Sequence, residues 1–453
     1  MRRKIYDQLS QWKKKNNGSS ALLIQGARRV GKSYIVEQFA KAEYQSYILI
    51  DFNRVDDQVK EIFLHDLNDI DTFFLKLATY FNTRLYDRQS LIIFDEVQLF
   101  PRARSAVKYL VADGRYDYIE TGSLISIREN VKDILIPSEE DHLNMYPMDF
   151  EEFLWALGNV TMMDMIRDCF CHKKPMGQAL HRKAMDLLRQ YLIVGGMPQA
   201  VEIYAANADF DKIDQIKRRI LNLYRDDIRK HAKGYEMKVE AIYDELPSQL
   251  KKQNIHFKLA SLKSGARFEE YKDALFWLSD AMIVNNCYNS TEPNIGLNLN
   301  RDRTLLKCYM GDTGLLVSHA FDENSITDET IYKKILFDKL EVNMGMIIEN
   351  IVAQMLTASG CKLYFYTNSS RDDATSRMEI DFLIARSRTG SRHNIIPIEV
   401  KSGKNYTLTS LRKFRAKYTS QIYISYVLHT GDFKEEDGIL YLPLYMTPML
   451  SAN

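Results

Sequence analysis

The stretch GARRVGKS joins two glycines to a lysine and a serine, between an apolar run and an apolar pattern with helical spacing. Glycines allow positive φ angles and close approach of the backbone, so successive N–H groups can surround a phosphate. The ammonium of Lys32 can reach the β- and γ-phosphates of a nucleotide, and the hydroxyl of Ser33 can bind Mg²⁺. The pattern G-x-x-x-x-G-K-[ST] therefore predicts a site for ATP and Mg²⁺. The predicted binding positions are Gly26, Arg28, Arg29, Val30, Gly31, Lys32 and Ser33.

An Asp-Glu pair follows a second apolar run, in the segment SLIIFDEVQ. Phosphoryl transfer also requires an acid on a neighbouring strand that holds the Mg²⁺ shell, and Asp95 suits that role. Glu96 suits the activation of the attacking water. An ordinary surface pair of acids after a core strand is the alternative, but the loop and the acids together favour ATP binding.

A third polar position closes the predicted strand in YDYIETGS. Thr121 falls at the tip of that strand, beside the loop, where its hydroxyl could contact the γ-phosphate or the attacking water. Ser123 is the second candidate, and a simple turn is the alternative interpretation. We therefore predict Glu96 and Thr121 as the catalytic residues of this site.

Strands and helices must alternate to bring these residues together. Ala21–Gln25 is predicted as a buried strand, and Tyr34–Ala40 as part of the helix that follows the loop. The segment YQSYILIDF predicts another strand, and Phe73–Asn82 a further helix. This alternation predicts a parallel sheet with the ligand at the carboxyl ends of its strands.

A second group of residues that could do chemistry lies in the last quarter of the chain, where the pattern from Met344 predicts the order α-β-β-β-α-β. Glu349 falls on the first helix and Asp381 on the second strand. The period of two puts Glu399 and Lys401 on one face of the third strand, where both could meet Asp381 across a hairpin. Two carboxylates bind a hard divalent cation, and an ammonium can position or deprotonate a water. A salt-bridged strand pair with a satisfied lysine is the alternative.

This arrangement resembles the PD-(D/E)xK nuclease superfamily, although Ile380 stands where the eponymous proline would be. The resemblance implies a nuclease-like fold, and whether such a domain cuts nucleic acid or only binds it is a separate question. Basic residues surround the third strand, and they suit either a solvated helix face or a phosphate backbone. They are Arg386, Arg388, Arg392, Lys401, Lys404, Arg412, Lys413, Arg415 and Lys417.

The middle of the chain is predicted to be helical from about Met148 to Gly234, with a tight corner at VGGMPQAV. This pattern fits a small helical lid. Glu236–Tyr288 predicts three helices and the short strand Met282–Tyr288, an order similar to that of a winged helix. Packing and protein contacts are as compatible with this segment as DNA binding. The basic residues that could touch phosphates there are Lys258, Lys263 and Arg267.

Several segments together resemble a family of bacterial and archaeal AAA-type P-loop ATPases that carry a C-terminal domain of unknown function. They are GARRVGKS (26–33), LIIFDE (91–96), TGS (121–123), YPMDFEEFL (146–154), GGMPQAV (195–201), MGDTGLL (310–316) and IIPIEVKSG (395–403). The resemblance implies a protein that binds and hydrolyses ATP. The family's leucine-glycine-arginine element is missing from DILIPSEEDHLNMYPMDF, and the sequence does not choose a substitute. The available arginines are Arg28, Arg29, Arg115 and Arg128.

The length of 453 residues predicts about two to four domains. We expect an α/β multidomain architecture that joins an AAA-like parallel sheet to a restriction-endonuclease-like domain. The expected boundaries are 1–147 for the ATPase core, 148–234 for the lid, 235–340 for a winged-helix-like and linking segment, and 341–453 for the nuclease-like domain.

A net charge of +1 excludes a global basic field, so any contact with DNA must come from local patches. No apolar run reaches the roughly 18 residues that span a membrane, and no secretory signal is recognisable. Five scattered cysteines are typical of reduced thiols, which predicts a cytoplasmic protein without structural zinc. DNA is a candidate partner, and a homo-oligomer or a partner protein is left open.

Two classes of function fit these patterns. The first is an enzyme that couples ATP hydrolysis to action on nucleic acid. The second is a nucleotide-gated switch or scaffold in which the nuclease-like domain only binds.

Overall fold

The computed structural model describes residues 1–122, 139–251, 268–294, 296–321, 344–368, 377–386, 393–403 and 405–450. The chain divides into two compact units. The first comprises Met1–Tyr146, Arg229–Lys233 and Asp280–Met282, and the second Pro147–Ile228, Gly234–Ser279 and Ile283–Asn453. Some sequence predictions fall outside the described residues. They concern Ser123, Arg128, Lys258, Lys263, Arg267, Arg388, Arg392 and Lys404.

A five-stranded sheet forms the centre of the first unit, with the order β2-β3-β4-β1-β5. Its strands are β1 (Ala21–Gln25), β2 (Ser46–Asp51), β3 (Ser90–Asp95), β4 (Asp117–Gly122) and β5 (Glu140–Asn144). All neighbouring strands are parallel, as the alternation of strands and helices predicts. β1 and β3 are buried at every position, which explains their unbroken apolar sequences.

Helices flank this sheet in the same unit. They are α1 (Ile5–Asn16), α2 (Lys32–Glu43), α3 (Asp57–His65), α4 (Ile70–Tyr80) and α5 (Pro101–Asp113). The side chains of Asp56 and Asp69 cap α3 and α4, and Pro101 suits the first turn of α5, where its missing N–H leaves no bond unmade. An aromatic cluster that includes Phe63 and Phe94 fills the space between these helices and the sheet. This core packs against the sheet, in which β4 pairs with both β1 and β3, so the carboxyl ends of these three strands are held side by side.

The second unit begins with helices, as the sequence predicts. Most of its helices are α6 (Phe150–Ala156), α7 (Met162–Cys171), α8 (Gln178–Val194), α9 (Pro198–Asn207), α10 (Phe210–His231, whose last residues belong to the first unit), α11 (Glu236–Lys251), α12 (Phe268–Asp280) and α13 (Thr313–Ala320). The predicted corner at VGGMPQAV is confirmed, because α8 ends at Val194 and α9 starts at Pro198. The N–H of Met148 donates to the carbonyl of Gly196 at 2.7 Å, and a Cβ at Gly196 would overlap the Met148 carbonyl.

A buried, hydrogen-bonded carboxylate explains two of the glycine-containing motifs in this unit. Asp312 is 1% exposed and accepts hydrogen bonds from the N–H groups of Gly196 (2.5 Å) and Leu315 (2.9 Å). Gly314 packs against Gly195 so closely that its Cβ would lie 2.6 Å from backbone atoms of Gly195. The GGMP and GDTG segments are therefore packing elements, since each needs the absence of a side chain at the contact.

An eight-stranded mixed sheet completes the second unit, with the order β12-β13-β11-β10-β9-β8-β6-β7. Its strands are β6 (Val284–Ser290), β7 (Arg301–Met310), β8 (Tyr364–Asn368), β9 (Met378–Ala385), β10 (Ile395–Val400), β11 (Ser425–His429), β12 (Lys434–Glu436) and β13 (Ile439–Pro443). With α14 (Met344–Ala358) and α15 (Thr409–Lys417), they confirm the predicted order α-β-β-β-α-β and extend it by two strands.

The strand that the sequence predicts as part of a winged helix, Met282–Tyr288, corresponds to β6 and belongs to the large sheet. β6 pairs antiparallel with β7 and parallel with β8, where Tyr288 lies opposite Tyr364. Burial of Val284 and Cys287 on this strand supplies apolar surface to the large sheet. β6 is thus an inner strand of that sheet, and the predicted boundary at about residue 340 falls between β7 and β8 of the same sheet.

No helix in the described ranges is long and apolar enough to cross a membrane.

Candidate functional site

The P-loop leads from the buried strand β1 into α2. Gly31 has a φ of 97° and Arg29 a φ of 70°, so two residues take the left-handed conformation that such a turn requires. A Cβ at Gly26 would overlap the carbonyl oxygen of Met145, which explains the first glycine of the pattern. Val30 is fully buried and anchors the loop, whereas Arg28 and Arg29 are exposed.

Lys32 lies in the first turn of α2 with only 8% of its surface exposed. Its ammonium donates to the carbonyl oxygens of Gly26 (2.9 Å) and Ala27 (3.0 Å). These two carbonyl groups hold the ammonium at the N-terminus of α2. The loop thus presents a cation and a helix N-terminus together, an arrangement that favours an anion.

Ser33, Asp95 and Thr121 meet at the carboxyl edge of the sheet. The hydroxyl of Ser33 donates to Oδ1 of Asp95 at 2.7 Å, and the buried hydroxyl of Thr121 donates to the same oxygen. The sequence predicts Asp95 on a strand next to that of the P-loop. In the structure β4 lies between β1 and β3, so the strand of Asp95 is the second one from β1. Thr121 is indeed on the strand beside the loop, but its hydroxyl faces Asp95.

Glu96 follows Asp95 in the left-handed conformation, with a φ of 53°. Its carboxylate is partly exposed and accepts a hydrogen bond from the side-chain amide of Gln98. A non-glycine residue with positive φ is uncommon, and such positions are frequent at functional sites. The two acids differ in their surroundings, since Glu96 is partly exposed whereas Asp95 is 7% exposed and bonded to Ser33.

Arg3 is a residue of this region that the sequence analysis missed. Its guanidinium donates to the carbonyl of Val30 at 2.9 Å and to that of Tyr146 at 2.8 Å. Arg3 therefore ties the P-loop to the end of the segment that follows β5. No pattern marks it, because its partners are backbone atoms 27 and 143 residues away.

Further basic residues lie beside the P-loop in the first unit. Burial lowers the pKa of His231, and the positive charges of Lys230, Arg28 and Lys233 lower it further. The last turn of α10 and Lys233 thus add positive charge near Arg28. Arg115, another arginine considered from sequence, is paired with Asp71 and Asp113, each at 2.8 Å.

The C-terminal residues predicted to meet are brought together by β9, β10 and α14. Asp381 accepts a hydrogen bond from the N–H of Val400 at 2.8 Å, which confirms the hairpin. Lys401 pairs with Glu399 at 2.5 Å. Burial raises the pKa of Glu399 to about 7, the charge of Asp381 contributes in the same direction, and Lys401 offsets part of the shift.

Two charged residues of this cluster were not predicted. Lys307 of β7 is 8% exposed, and its ammonium lies 2.9 Å from Oε1 of Glu379 and 3.7 Å from Oε2 of Glu349. Its distance to Oδ1 of Asp381 is 3.9 Å. The side chain of Glu379 shares a face of β9 with Asp381, and that alternation was the signal available in the sequence. Nothing local to β7 marks Lys307 as a member of this cluster.

Family models match three parts of the chain. Residues 18–154 match an AAA domain, residues 185–325 a domain of unknown function (DUF8612), and residues 344–446 a further domain of unknown function (DUF4143). The AAA match contains the P-loop, Asp95, Glu96 and Thr121. A comparison with curated proteins finds no match.

Three solved structures are similar to the chain at low sequence identity. A Walker-type ATPase of Pyrococcus abyssi is 14% identical, with 70% of this chain and 95% of that chain covered and a TM-score of 0.40. AMPPCP-bound DnaA from Aquifex aeolicus is 12% identical, with coverages of 75% and 96% and a TM-score of 0.29. The ORC1 protein of Aeropyrum pernix, in complex with DNA, is 12% identical, with coverages of 72% and 93% and a TM-score of 0.24. Such low TM-scores do not assign the whole chain. The family match and the P-loop geometry identify residues 18–154 as an AAA-type ATPase domain.

Proposed function

We propose that this chain binds ATP with Mg²⁺ and hydrolyses the bond to the γ-phosphate. The observation that carries the proposal is the contact between the Ser33 hydroxyl and the Asp95 carboxylate, 2.7 Å apart at the carboxyl edge of a parallel sheet. A P-loop serine and an acid from another strand are the protein groups that hold Mg²⁺ in this class of ATPase. They come together from positions 62 residues apart.

The oxygen donors fit a small hard cation. Mg²⁺ prefers carboxylate and hydroxyl oxygens, and Ser33 and Asp95 supply both at one point. When bound, Mg²⁺ would neutralise part of the charge on the phosphate oxygens. Thr121 holds the carboxylate of Asp95 through its hydroxyl, so we assign it the role of orienting this ligand.

Lys32 and Glu96 carry the remaining roles. The ammonium of Lys32 binds the β- and γ-phosphates, for which its buried position beside the helix N-terminus is suited. The carboxylate of Glu96 accepts a proton from the attacking water. The amide of Gln98 donates to this carboxylate and fixes its direction. Glu96 is the candidate base because its carboxylate is partly exposed, whereas the Asp95 carboxylate is bonded to Ser33 and Thr121.

The direct test is the release of inorganic phosphate by the purified full-length protein with ATP and Mg²⁺. Turnover that depends on Lys32 supports an ATPase. Stoichiometric retention of ATP with negligible turnover would instead favour the nucleotide-gated switch. Addition of DNA distinguishes a basal from a stimulated activity in the same assay.

A second proposal concerns the C-terminal sheet, which we infer interacts with nucleic acid. Leu411 and Phe414 bury the apolar face of α15, and the cationic residues of this helix occupy its other positions. Arg412 is exposed and only 3.7 Å from the exposed Asp437, a pair of small energetic value that phosphate can replace. A basic helix of this kind suits a phosphate backbone.

Fluorescence anisotropy with single- and double-stranded DNA and RNA tests this second proposal. We expect binding to weaken steeply with salt, because phosphate contacts release counterions. The variant Arg412→Ala/Lys413→Ala should reduce the salt dependence, and Lys108→Ala on α5 is the control for loss of an unrelated surface charge. Binding that is absent at low salt would contradict the proposal.

A further inference from the structure

The carboxylate cluster of the second unit converges on one ammonium group. Glu349 comes from α14, Glu379 and Asp381 come from β9, and Lys307 reaches them from β7. The ammonium of Lys307 lies 2.9 Å from Glu379, 3.7 Å from Glu349 and 3.9 Å from Asp381. The hydroxyl of Tyr309 also donates to Oε2 of Glu349 at 3.1 Å. Lys307 thus faces three acids from two elements of the fold, and the charge of Lys401 also acts on this group.

Electrostatics makes this cation necessary. Burial raises the pKa of Glu349 and of Glu379, and the charge of Lys307 opposes both shifts. Burial alone would lower the pKa of Lys307, but Tyr309 and the acids together hold it well above its usual value. Removing one partner from a buried set of charges leaves the others uncompensated, which is strongly destabilising. Lys307 and the acids therefore stabilise one another's charged forms.

The two acids predicted to hold a metal are already engaged. Oδ2 of Asp381 accepts from the N–H of Val400, while Oδ1 faces Lys307. Oε2 of Glu399 pairs with Lys401 at 2.5 Å. With Lys307 and Lys401 in place, no three His, Cys, Asp or Glu side chains within the described ranges form a group that could hold a metal ion. The acids are arranged around ammonium groups.

We propose that Lys307 is the resident cation of this cluster and occupies the position between Glu349, Glu379 and Asp381 that a divalent ion would need. The inference rests on the nucleic-acid interaction proposed for the same domain, and it assigns that domain to binding without metal-dependent cutting. Lys307 thereby excludes a divalent ion from this position. A lysine cannot be exchanged with the solvent, so the cluster stays assembled at any concentration of divalent ions.

Binding of Mn²⁺ to the full-length, nucleotide-free protein tests this inference by electron paramagnetic resonance. We expect wild-type protein and Asp381→Asn to bind the same number of Mn²⁺ ions, because any binding at the P-loop is common to both. Lys307→Met should gain one Mn²⁺ site. Its affinity for Mn²⁺ should be at least tenfold higher than that of any Mn²⁺ site of the wild-type second unit. Lys307→Met/Glu379→Gln should lose that site again.

Lys401→Met is the matched control. It removes the same charge from the neighbouring Glu399, and we expect no new site because Lys307 still fills the cluster. Wild-type protein that binds one Mn²⁺ more than Asp381→Asn would overturn the inference, and so would folded Lys307→Met without a new site. If circular dichroism shows that Lys307→Met does not fold, the comparison of wild type with Asp381→Asn decides.

Nucleic-acid assays separate this inference from the function on which it rests. Incubation with DNA, RNA and Mn²⁺ should give binding without cleavage in the wild-type protein. Cleavage that is lost in Asp381→Ala would overturn the role of Lys307 and leave a nucleic-acid function in place. Absence of all nucleic-acid binding would contradict the proposed function but leave the Mn²⁺ result for Lys307 untouched.

Discussion

The hydroxyl of Ser33 lies 2.7 Å from Oδ1 of Asp95, and the same oxygen accepts the hydroxyl of Thr121. Helix α2 and strand β4 thus contribute one hydroxyl each to a single oxygen of the Asp95 side chain at the end of β3. An acid with two hydroxyl donors is fixed in direction before any ligand arrives. Preorganisation of this kind lowers the cost of placing Mg²⁺ and phosphate.

Lys32→Ala should lower the affinity for ATP by about a hundredfold, equivalent to about 2.7 kcal/mol. The substitution removes the buried ammonium beside the helix N-terminus. Isothermal titration with ATP and Mg²⁺ measures the loss. Lys41→Ala is the control on the same helix, because Lys41 makes a surface pair with Glu37 at 2.7 Å. Equal affinity of wild type and Lys32→Ala would show that the phosphates bind elsewhere.

Glu96→Gln should keep ATP bound and reduce its hydrolysis by about a hundredfold or more, since general-base catalysis contributes at least that much. The amide cannot accept the proton from water, whereas Asp95 is left in place. Single-turnover kinetics with radiolabelled ATP separates binding from hydrolysis. A normal hydrolysis rate in this variant means that another residue is the base.

Thr121→Val should reduce turnover by about tenfold, equivalent to about 1.4 kcal/mol, with little change in KM. Valine has a similar shape but no hydroxyl for Oδ1 of Asp95. Thr121→Ser retains the hydroxyl and is the matched control. Steady-state kinetics decides between the two possible roles, because a direct contact with bound ATP would also raise KM.

Gly196→Ala should destabilise the second unit by about 1–3 kcal/mol, because the added methyl group meets the carbonyl of Met148. Thermal unfolding followed by circular dichroism measures the change. Gly403→Ala is the control, since the nearest atom to its Cβ would be 4.0 Å away. Equal midpoints for the two variants would mean that the corner between α8 and α9 adjusts without cost.

The buried side chain of Lys217 should make the free energy of unfolding rise with pH in the alkaline range. Burial lowers its pKa from 10.5 to about 8 in the folded chain, and its ammonium donates to the carbonyl of Ile193 at 2.9 Å. Below pH 8 both states hold the proton and the folded state bears the full cost of burial. Between about pH 8 and 10.5 only the unfolded state keeps the proton, so stability rises with pH.

The free energy of unfolding of wild type should therefore rise relative to Lys217→Met by about 1.4 kcal/mol per pH unit above pH 8. Urea denaturation of both proteins at pH 7 and pH 9 measures this difference, and the comparison cancels the titration of all other groups. Parallel pH profiles for the two proteins would show that Lys217 is not protonated differently in the folded state.

Local patterns predict the candidate ATPase site from the sequence. The P-loop is eight consecutive residues whose conformation depends on Gly26 and Gly31, and the acids follow directly from the end of a buried strand. The pairing of Glu399 with Lys401 follows from strand alternation in the same way. Within each of these segments, the residue types and their spacing are sufficient to predict the arrangement.

Contacts between distant segments could not be predicted in this manner. Lys307 and Glu379 are in contact although they are 72 positions apart in the sequence (379 − 307). The sequence of β7 around Lys307 contains no motif. Arg3 is fixed by carbonyl groups, which every residue possesses. β6 was expected in a winged helix because a short apolar strand after helices has the same pattern in both folds. Only tertiary pairing decides where such a strand joins a sheet.

The pairing of β6 and β7 beside β8 limits how this protein can be divided. A fragment that begins at residue 341 would lack both strands and would leave the edge of β8 without its hydrogen-bond partners. An uncovered edge invites association with other chains. It would also leave Glu349, Glu379 and Asp381 without Lys307. We therefore expect that recombination which transferred only the last 110 or so residues between genes would give a less stable domain than one that also carried β6 and β7.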